Sequence, residues 1–299
     1  MKPIICLAIS ILLFSPATAE IVVLKNDHIS RSFERKDDLL RTISFNGPRG
    51  KINVVSDEFH ILTMGGEAAT VANYQLKKHE LARNGKVQEL RCSYRLKDIG
   101  EKFPVGLLIR YTLHDDELFT RKTIAVLDSN KSIVDRLEVE RFSLKGKASF
   151  GGRGQPAYSN GWFFGLEYPA GHSRHTDGNT PKADAHHFEM VGNYSWIGLD
   201  GKDETSSPRE GLIRLFHFPG KTGGFVSKTA VAGTSVKGVS DELAFLDYIR
   251  TIAKKPRVFL HYNNWFDPAG KNLRGDNFVN VWKGFKKITD PAGIKMHAM

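Results

Sequence analysis

Alternation of apolar and polar residues with a period of two dominates the first 238 residues of this chain. Apolar side chains recur at every second position over residues 90–96 and again over 107–113. Because residues two apart point to the same side of a strand, both segments predict half-buried strands with one face toward solvent. A turn at residues 114–117 leads into a third segment at 118–127, which predicts a hairpin.

Further short strands follow from the same pattern across the first 238 residues. The clearest of them are Ile21–Leu24, Ile52–Val55, Leu137–Leu144 and Leu212–Phe218. With glycine, proline and asparagine between them, about a dozen or more strands are expected before residue 238, and helical periodicity is almost absent there. The predicted fold class is mainly β: a large sandwich of two packed antiparallel sheets, bigger than an immunoglobulin-type module of about 100 residues.

The pattern changes near Val239, where we place a domain boundary. Ser240 to Glu242 open a helix that ends at residues 254–256. The apolar face predicted for this helix comprises Leu243, Phe245, Leu246, Ile249, Ile252 and Ala253. A buried strand running into a polar, aromatic loop over 257–267, a second helix and a strand cut short at 293–299 follow, which is how a parallel α/β barrel begins. The predicted division is therefore a sandwich at 20–238, a linker helix at 239–256 and a barrel start at 257–299.

The second helix carries an apolar stripe at the spacing i, i+3, i+4 and i+7. Its members are Phe278, Val281, Trp282, Phe285 and Ile288. Burying side chains of this size contributes about 2 kcal/mol each. A complete barrel takes about 250 residues, of which this chain offers about a sixth. Unless the sandwich covers the stripe, we expect it to mark an interface, filled by a second copy of the chain or by a missing barrel segment.

The first nineteen residues have the features of a secretory signal peptide. Lys2 supplies a positive charge, residues 4–14 an apolar run, and Ala17 to Ala19 a small-residue cleavage pattern before Glu20. A run of this length is too short to cross a bilayer, which takes about twenty apolar residues. The expectation is export to a periplasm or beyond, with no membrane span.

Charge and cysteine content exclude two classes of protein. The formal net charge is +10, but the basic residues are scattered in pairs such as Lys77-Lys78, so nucleic acid is not an expected partner. Cys6 lies in the signal segment and leaves only Cys92, which excludes an intramolecular disulfide. We expect Cys92 to be a small buried side chain on a strand.

Three segments carry a resemblance to a known family. They are Gly154–Tyr158, Gly161–Pro169 and His261–Asp267, with the sequences GQPAY, GWFFGLEYP and HYNNWFD. These resemble melibiase-type α-galactosidases and their exported bacterial relatives. The resemblance implies a β-supersandwich followed by a (β/α)8 barrel, and hydrolysis with retention by an aspartate nucleophile and an aspartate acid/base. In the family both aspartates lie on barrel strands later than the second, so none is assigned here and the chain is expected to be catalytically silent.

The resemblance also implies residues that bind a sugar, an α-galactoside or a related glycan. In the family the first barrel loop contributes a tryptophan and an acidic residue, which correspond to Trp265 and Asp267, with Asn264 beside them. An aromatic ring stacks on the apolar face of a pyranose, and a carboxylate accepts hydrogen bonds from its hydroxyls. Trp162 and Glu167 are expected on a sandwich loop that leans over the barrel mouth. The alternatives are packing for both tryptophans, a turn at Asp267 and a surface charge at Glu167.

Other groups of histidine and glutamate residues do not match a metal-binding or catalytic motif. His172, His175, His186 and His187 offer zinc ligands, but their spacing fits no zinc signature, so neither a metal nor another cofactor is expected. Glu138 and Glu140, two apart on one strand, are expected to share a face. Two further functions remain open: a non-catalytic carbohydrate-binding or assembly module, and a remnant without a ligand.

Overall fold

The computed structural model of the protein describes residues 19–98, 103–128, 132–144, 148–150, 156–168, 172–176, 194–198, 211–253 and 275–294. The chain divides into two compact units, one ending at Arg250 and the other beginning at Thr251. Among the described segments, no helix is long and apolar enough to cross a membrane.

Strands make up most of the first unit. The first six are β1 (Glu20–Lys25), β2 (Ser30–Lys36), β3 (Leu39–Gly47), β4 (Gly50–Ser56), β5 (His60–Thr63) and β6 (Ala68–Thr70). The next five are β7 (Tyr74–Asn84), β8 (Val87–Leu96), β9 (Gly106–His114), β10 (Phe119–Asp128) and β11 (Val134–Leu144). The last eight are β12 (Ala148–Phe150), β13 (Ala157–Ser159), β14 (Trp162–Leu166), β15 (His172–Thr176), β16 (Tyr194–Gly198), β17 (Gly211–His217), β18 (Phe225–Val226) and β19 (Ala230–Thr234).

These strands form two sheets. The first runs β1-β2-β3-β4-β11-β17-β16-β15, with β5 and β6 paired beside β11. The second runs β12-β13-β14-β19-β10-β9-β8-β7, with β18 paired to β10. Among the strands that the structure describes, β15 and β16 pair in parallel and the other pairs are antiparallel. The predicted mainly β fold with two packed sheets is confirmed, and each strand range named from the sequence before residue 238 corresponds to a strand here.

The period-two pattern places the core where it was expected. On β8 the side chains of Leu90, Cys92 and Tyr94 are buried, and on β9 those of Ile109 and Tyr111 are buried. They join one hydrophobic cluster that draws residues from both sheets. The predicted hairpin of β9 and β10 is present, with Thr112 opposite Arg121. Cys92 packs as a small apolar side chain, and burial raises the pKa of its thiol.

A bulge interrupts β11 and corrects one expectation. Glu138 pairs with Phe216 of β17, and Glu140 pairs with Leu215, so Val139 is an extra residue in this strand. A bulge of this kind shifts the alternation of side chains along the strand. Glu140 therefore points between the sheets, whereas Glu138 contacts arginines on the outer face, and the expectation that the two share a face was wrong.

Helix α1 (Asp241–Ile252) begins one residue after Ser240, as the capping pattern indicates. Ser240 Oγ accepts a hydrogen bond from the backbone N–H of Leu243. The buried side chains of helix α1 are Ala244 and Tyr248. Leu243 and Leu246 are 54% and 42% exposed, and Ile252 and Ala253 are exposed as well, so the apolar face predicted for this helix was wrong at those four positions.

The second unit contains helix α2 (Gly275–Thr289), which confirms the predicted second helix. Within it Val281, Trp282 and Phe285 are half-buried, and Ile288 is exposed. The strand and loop predicted over 257–267 lie outside the described residues, as does most of the stretch at 293–299. The barrel start therefore stays a prediction.

Candidate functional site

The sugar-binding residues predicted from the sequence fall into two groups. Asn264, Trp265 and Asp267 lie outside the described residues. Trp162 and Glu167 are both described, and they lie at opposite ends of the short segment formed by β14 and the residue that follows it.

Trp162 lies on a strand, not on a loop as expected. Its ring is fully buried and packs 5.4 Å from the ring of Phe45 on the opposite sheet. A Cβ at Gly47 would lie 3.2 Å from the Trp162 ring, so the glycine there leaves room for the indole. This placement supports the packing alternative for Trp162 rather than contact with a sugar.

Glu167 follows β14 and anchors helix α1. Its Oε1 accepts hydrogen bonds of 2.7 Å from Arg121 Nε and 2.7 Å from the Tyr248 hydroxyl. Arg121 also donates to Glu117, at 2.9 Å, and its guanidinium lies 4.5 Å from the ring of Phe119. The carboxylate of Glu167 therefore joins strand β10 to the helix, and it is not a bare surface charge.

The anchor is reinforced by an aromatic cluster under α1. The Tyr248 ring lies 4.8 Å from Phe119 and 5.4 Å from Phe163, and Phe245 lies 5.7 Å from Phe163. The Phe163 ring rests on Gly233, where an added Cβ would come within 2.2 Å of it. Small residues at the contact allow this close approach, so the helix is held on the outer face of the second sheet.

Arg49 secures the other end of this helix. It donates to the backbone carbonyl of Val239 at 2.8 Å and pairs with Asp241, the first residue of α1. Its side chain also fills the space beside Gly161, whose positive φ of 79° favours glycine. Arg49 thus connects the β3–β4 turn to the β13–β14 turn and to the helix start.

A second group of polar residues lies between the two sheets, and it was not predicted from the sequence. We call Arg31, Glu58, Lys122 and Glu140 the inter-sheet charge network; their side chains are at most 3% exposed. Arg31 and Glu140 come from the first sheet and Lys122 from the second. Lys122 lies two residues before the buried Ile124 on β10, so it shares the inward face with Ile124 and Val126. A charged residue at a position predicted to be buried was the sequence signal that could have revealed the network.

Each charge in this network has close partners. Arg31 donates to both carboxylate oxygens of Glu140, at 2.6 and 3.1 Å, and to the Thr42 hydroxyl. Lys122 Nζ donates to Glu58 Oε2 at 3.0 Å, to the Glu58 carbonyl at 2.6 Å and to Glu140 Oε2 at 3.2 Å. Glu58 also accepts from the Thr42 backbone N–H and the Tyr111 hydroxyl.

The electrostatics of Glu58 follow from this enclosure. Burial by itself would raise the pKa of the carboxyl, but Lys122, Arg31 and the hydrogen bond from Tyr111 together lower the pKa to about 2. Glu58 is therefore a fully ionised, closed carboxylate at neutral pH. Such a group cannot serve as a general acid, because it neither holds a proton nor reaches a ligand.

Glu138 is engaged in the same way on the outer face of the first sheet. Arg214 donates to it from two nitrogens and Arg141 from a third, at 3.0 Å. Burial would raise the pKa of Glu138, but the contacts with His60 and Arg214 hold the pKa below its usual range. Across the part of the chain that the structure describes, no group of three or more acidic, histidine or cysteine side chains is arranged to hold a metal ion.

Comparison with known proteins gives similarity to solved structures alone. No family model and no curated protein matches the chain. A variant of the GH36 alpha-galactosidase AgaA from Geobacillus stearothermophilus, solved with 1-deoxygalactonojirimycin, matches with a TM-score of 0.44 and 9% identity over 88% of this chain and 48% of its own. AgaB from the same organism matches with a TM-score of 0.44 and 10% identity over 92% and 48%. This chain spans about half the length of the structures that it matches.

Proposed function

We propose that this chain is an exported, glycoside-hydrolase-like protein that supplies the sandwich and the first sugar-binding loop of an α-galactosidase-like retaining enzyme. The observation that carries the proposal is the segment His261–Asp267, HYNNWFD, which follows a two-sheet sandwich and helix α1 along the chain. In this proposal the mature protein starts at Glu20. Mass spectrometry of the protein from the periplasmic fraction tests export, and an uncleaved N-terminus would contradict it.

Sugar binding is assigned to the loop residues Trp265, Asp267 and Asn264. The indole of Trp265 stacks on the apolar face of a galactoside, and Asp267 and Asn264 hydrogen-bond its hydroxyls. Glu167 and Trp162 receive no sugar contact in this proposal. The bonds of Glu167 to Arg121 and Tyr248, and the burial of Trp162, support roles in folding for both.

The chain by itself is proposed to bind a galactoside without hydrolysing it. Retaining hydrolysis takes two carboxyl groups about 5–5.5 Å apart that flank the glycosidic bond. In the described part of the chain Glu58, Glu138 and Glu140 are the buried glutamates, and each is paired with cations and closed to solvent. Their pairing argues against any two of these three glutamates acting as an acid and nucleophile pair.

An assay on an aryl α-galactoside tests this proposal. We expect purified protein to release no more aryl alcohol than the buffer blank, while methyl α-galactoside still quenches or enhances tryptophan fluorescence. Turnover above the blank would contradict the claim of silence. A flat titration would contradict the assignment of a sugar-binding loop and favour a remnant without a ligand.

A non-catalytic carbohydrate-binding module is a second candidate, favoured by the docking of α1 on the sandwich. The Glu167, Arg121 and Tyr248 contacts close that face of the sandwich with residues of the same chain. The two candidates differ in selectivity. The enzyme-like proposal predicts tighter binding of methyl α-galactoside than of methyl α-glucoside, whereas a module for an extended glycan predicts no such preference between these epimers.

A further inference from the structure

The inter-sheet charge network bears on how the two sheets are arranged, and this role is independent of the proposed sugar-binding function. Its two cations, Arg31 and Lys122, face two carboxylates, Glu58 and Glu140, so the buried charge sums to zero. The four side chains come from β2, β10, β11 and the turn between β4 and β5. Pairing therefore requires that both sheets be assembled in one particular arrangement.

The hydrogen bonds make this requirement strict. All three protons of the Lys122 ammonium are matched by the three acceptors within 3.2 Å. The bidentate contact between Arg31 and Glu140 fixes the direction of the guanidinium as well as its position. Arg31 is also enclosed by the rings of Phe33, Phe45 and Tyr111, with its Cζ between 4.6 and 5.3 Å from their centres.

Shifted arrangements lose these partners. A slip of two residues in β10 keeps its apolar face inward but moves the Lys122 ammonium about 7 Å along the sandwich, since a strand rises by about 3.3 Å per residue. The ammonium and the carboxylates it leaves would then be buried without partners, which is strongly unfavourable. The purely apolar neighbours Ile124 and Val126 offer no comparable discrimination, because apolar contacts are not directional.

Two local departures from regular backbone geometry serve the network. The bulge at Val139 turns Glu140 inward, and Glu58 has a φ of 60°, in the left-handed region that disfavours residues with a Cβ. Backbone strain of this kind persists where surrounding contacts determine it. Here those contacts are the bonds of Glu58 with Thr42, Tyr111 and Lys122.

We propose that the inter-sheet charge network selects a single strand register and a single face-to-face packing of the two sheets. It does so without making the protein more stable than an apolar core of the same size would. Removing four charged groups from water largely offsets their mutual attraction. Selection of one arrangement is a separate effect from stability. It depends on how much higher in free energy the shifted arrangements of the two sheets are than the native one. The sandwich is large, and many of its strands alternate in the same way, so apolar pattern alone leaves such arrangements close in energy.

Three variants of the full chain test the proposal. Lys122→Met removes one cation and leaves an unbalanced carboxylate. The second variant replaces the whole network by unbranched apolar side chains: Arg31→Met, Glu58→Met, Lys122→Met and Glu140→Met. Lys78→Met, at an exposed position, controls for added methionine. Urea unfolding, near-UV circular dichroism and binding of the dye ANS are measured for each.

We expect the four-methionine variant to unfold at a urea concentration at or above that of wild type and above that of Lys122→Met, yet to bind several-fold more ANS than wild type and to lose much of its near-UV signal. Wild-type ANS binding and near-UV signal in that variant would overturn the proposal, because the network would then select nothing. A four-methionine variant that unfolds at a clearly lower urea concentration than wild type, or that is unfolded, would overturn it as well, since the network would then supply stability.

Discussion

Glu138 and Glu140, separated by a single residue of β11, contact different sets of cations on opposite faces of the same sheet. Glu138 pairs with Arg214 and Arg141 on the outer face, and Glu140 pairs with Arg31 and Lys122 between the sheets. The extra residue Val139 produces this division. One short segment thus contributes a carboxylate to each of two separate clusters.

Glu140→Gln is expected to destabilise the protein by about 3 kcal/mol, because it leaves Arg31 and Lys122 with an excess buried charge. Urea unfolding at pH 7 measures the change. Glu80→Gln serves as the control, since Glu80 pairs with Lys78 at the surface and its loss should leave the free energy of unfolding nearly unchanged. Equal effects of the two substitutions would contradict the importance given to burial.

Acid should weaken the fold through Glu58. Its pKa in the folded protein, about 2, lies below the ordinary value of 4.5, so ionised Glu58 stabilises the fold above pH 4.5. This contribution, on the order of 3 kcal/mol, is lost as the pH falls from about 4.5 to 2. The difference in free energy of unfolding between wild type and Glu58→Gln should shrink across that window. A difference that stays constant from pH 7 to pH 2.5 would contradict the assignment.

Gly233→Ala should loosen the docking of α1. The new Cβ would overlap the Phe163 ring, which cannot move without disturbing Phe245 and Tyr248. Overpacking of this kind typically destabilises by about 1–3 kcal/mol. The free energy of unfolding measures the effect. Gly284→Ala, in open space on helix α2, is the control and should be neutral or slightly stabilising; a similar loss there would show that the clash is not the cause.

Tyr248→Phe and Glu167→Gln should be energetically coupled. The Tyr248 hydroxyl donates to Glu167 Oε1, and a hydrogen bond to a charged group contributes about 1.5–3 kcal/mol. A double-mutant cycle measured by urea unfolding should give a coupling energy of about 1 kcal/mol. Additive effects would argue against the role of Glu167 as a helix anchor and return it to the candidates for sugar contact.

Much of the fold follows from the sequence because each strand signals its own buried face. Leu90 and Cys92 on β8 alternate with charged residues, and the structure buries them as the pattern predicts. The inward direction of Glu140 could not be read in the same way. The sequence Glu138-Val139-Glu140 has the polar-apolar-polar alternation of a regular strand even though Val139 is a bulge residue. Nothing in the local sequence therefore indicates that Glu138 and Glu140 point to opposite faces of the sheet.

Helix α1 shows a related limit. Its start at Asp241 was predictable from the cap, but its buried face was not. The sheet offers the rings of Phe119 and Phe163 as a docking surface, which favours Tyr248 with its bonded hydroxyl and the small Ala244 over the exposed Leu243. The hydrophobic pattern of the helix sequence alone does not reveal the shape or polarity of the sheet surface on which the helix packs.

Titration of intrinsic tryptophan fluorescence with methyl α-galactoside tests the functional proposal most directly when wild type is compared with Trp265→Ala. Trp282→Phe is the control, since it removes an indole that lies outside the proposed loop in the sequence. We expect saturable binding by wild type and by Trp282→Phe, and loss of at least about tenfold in affinity, or about 1.4 kcal/mol, in Trp265→Ala. Equal affinity of wild type and Trp265→Ala, or no binding by wild type, would contradict the assignment of a sugar-binding loop.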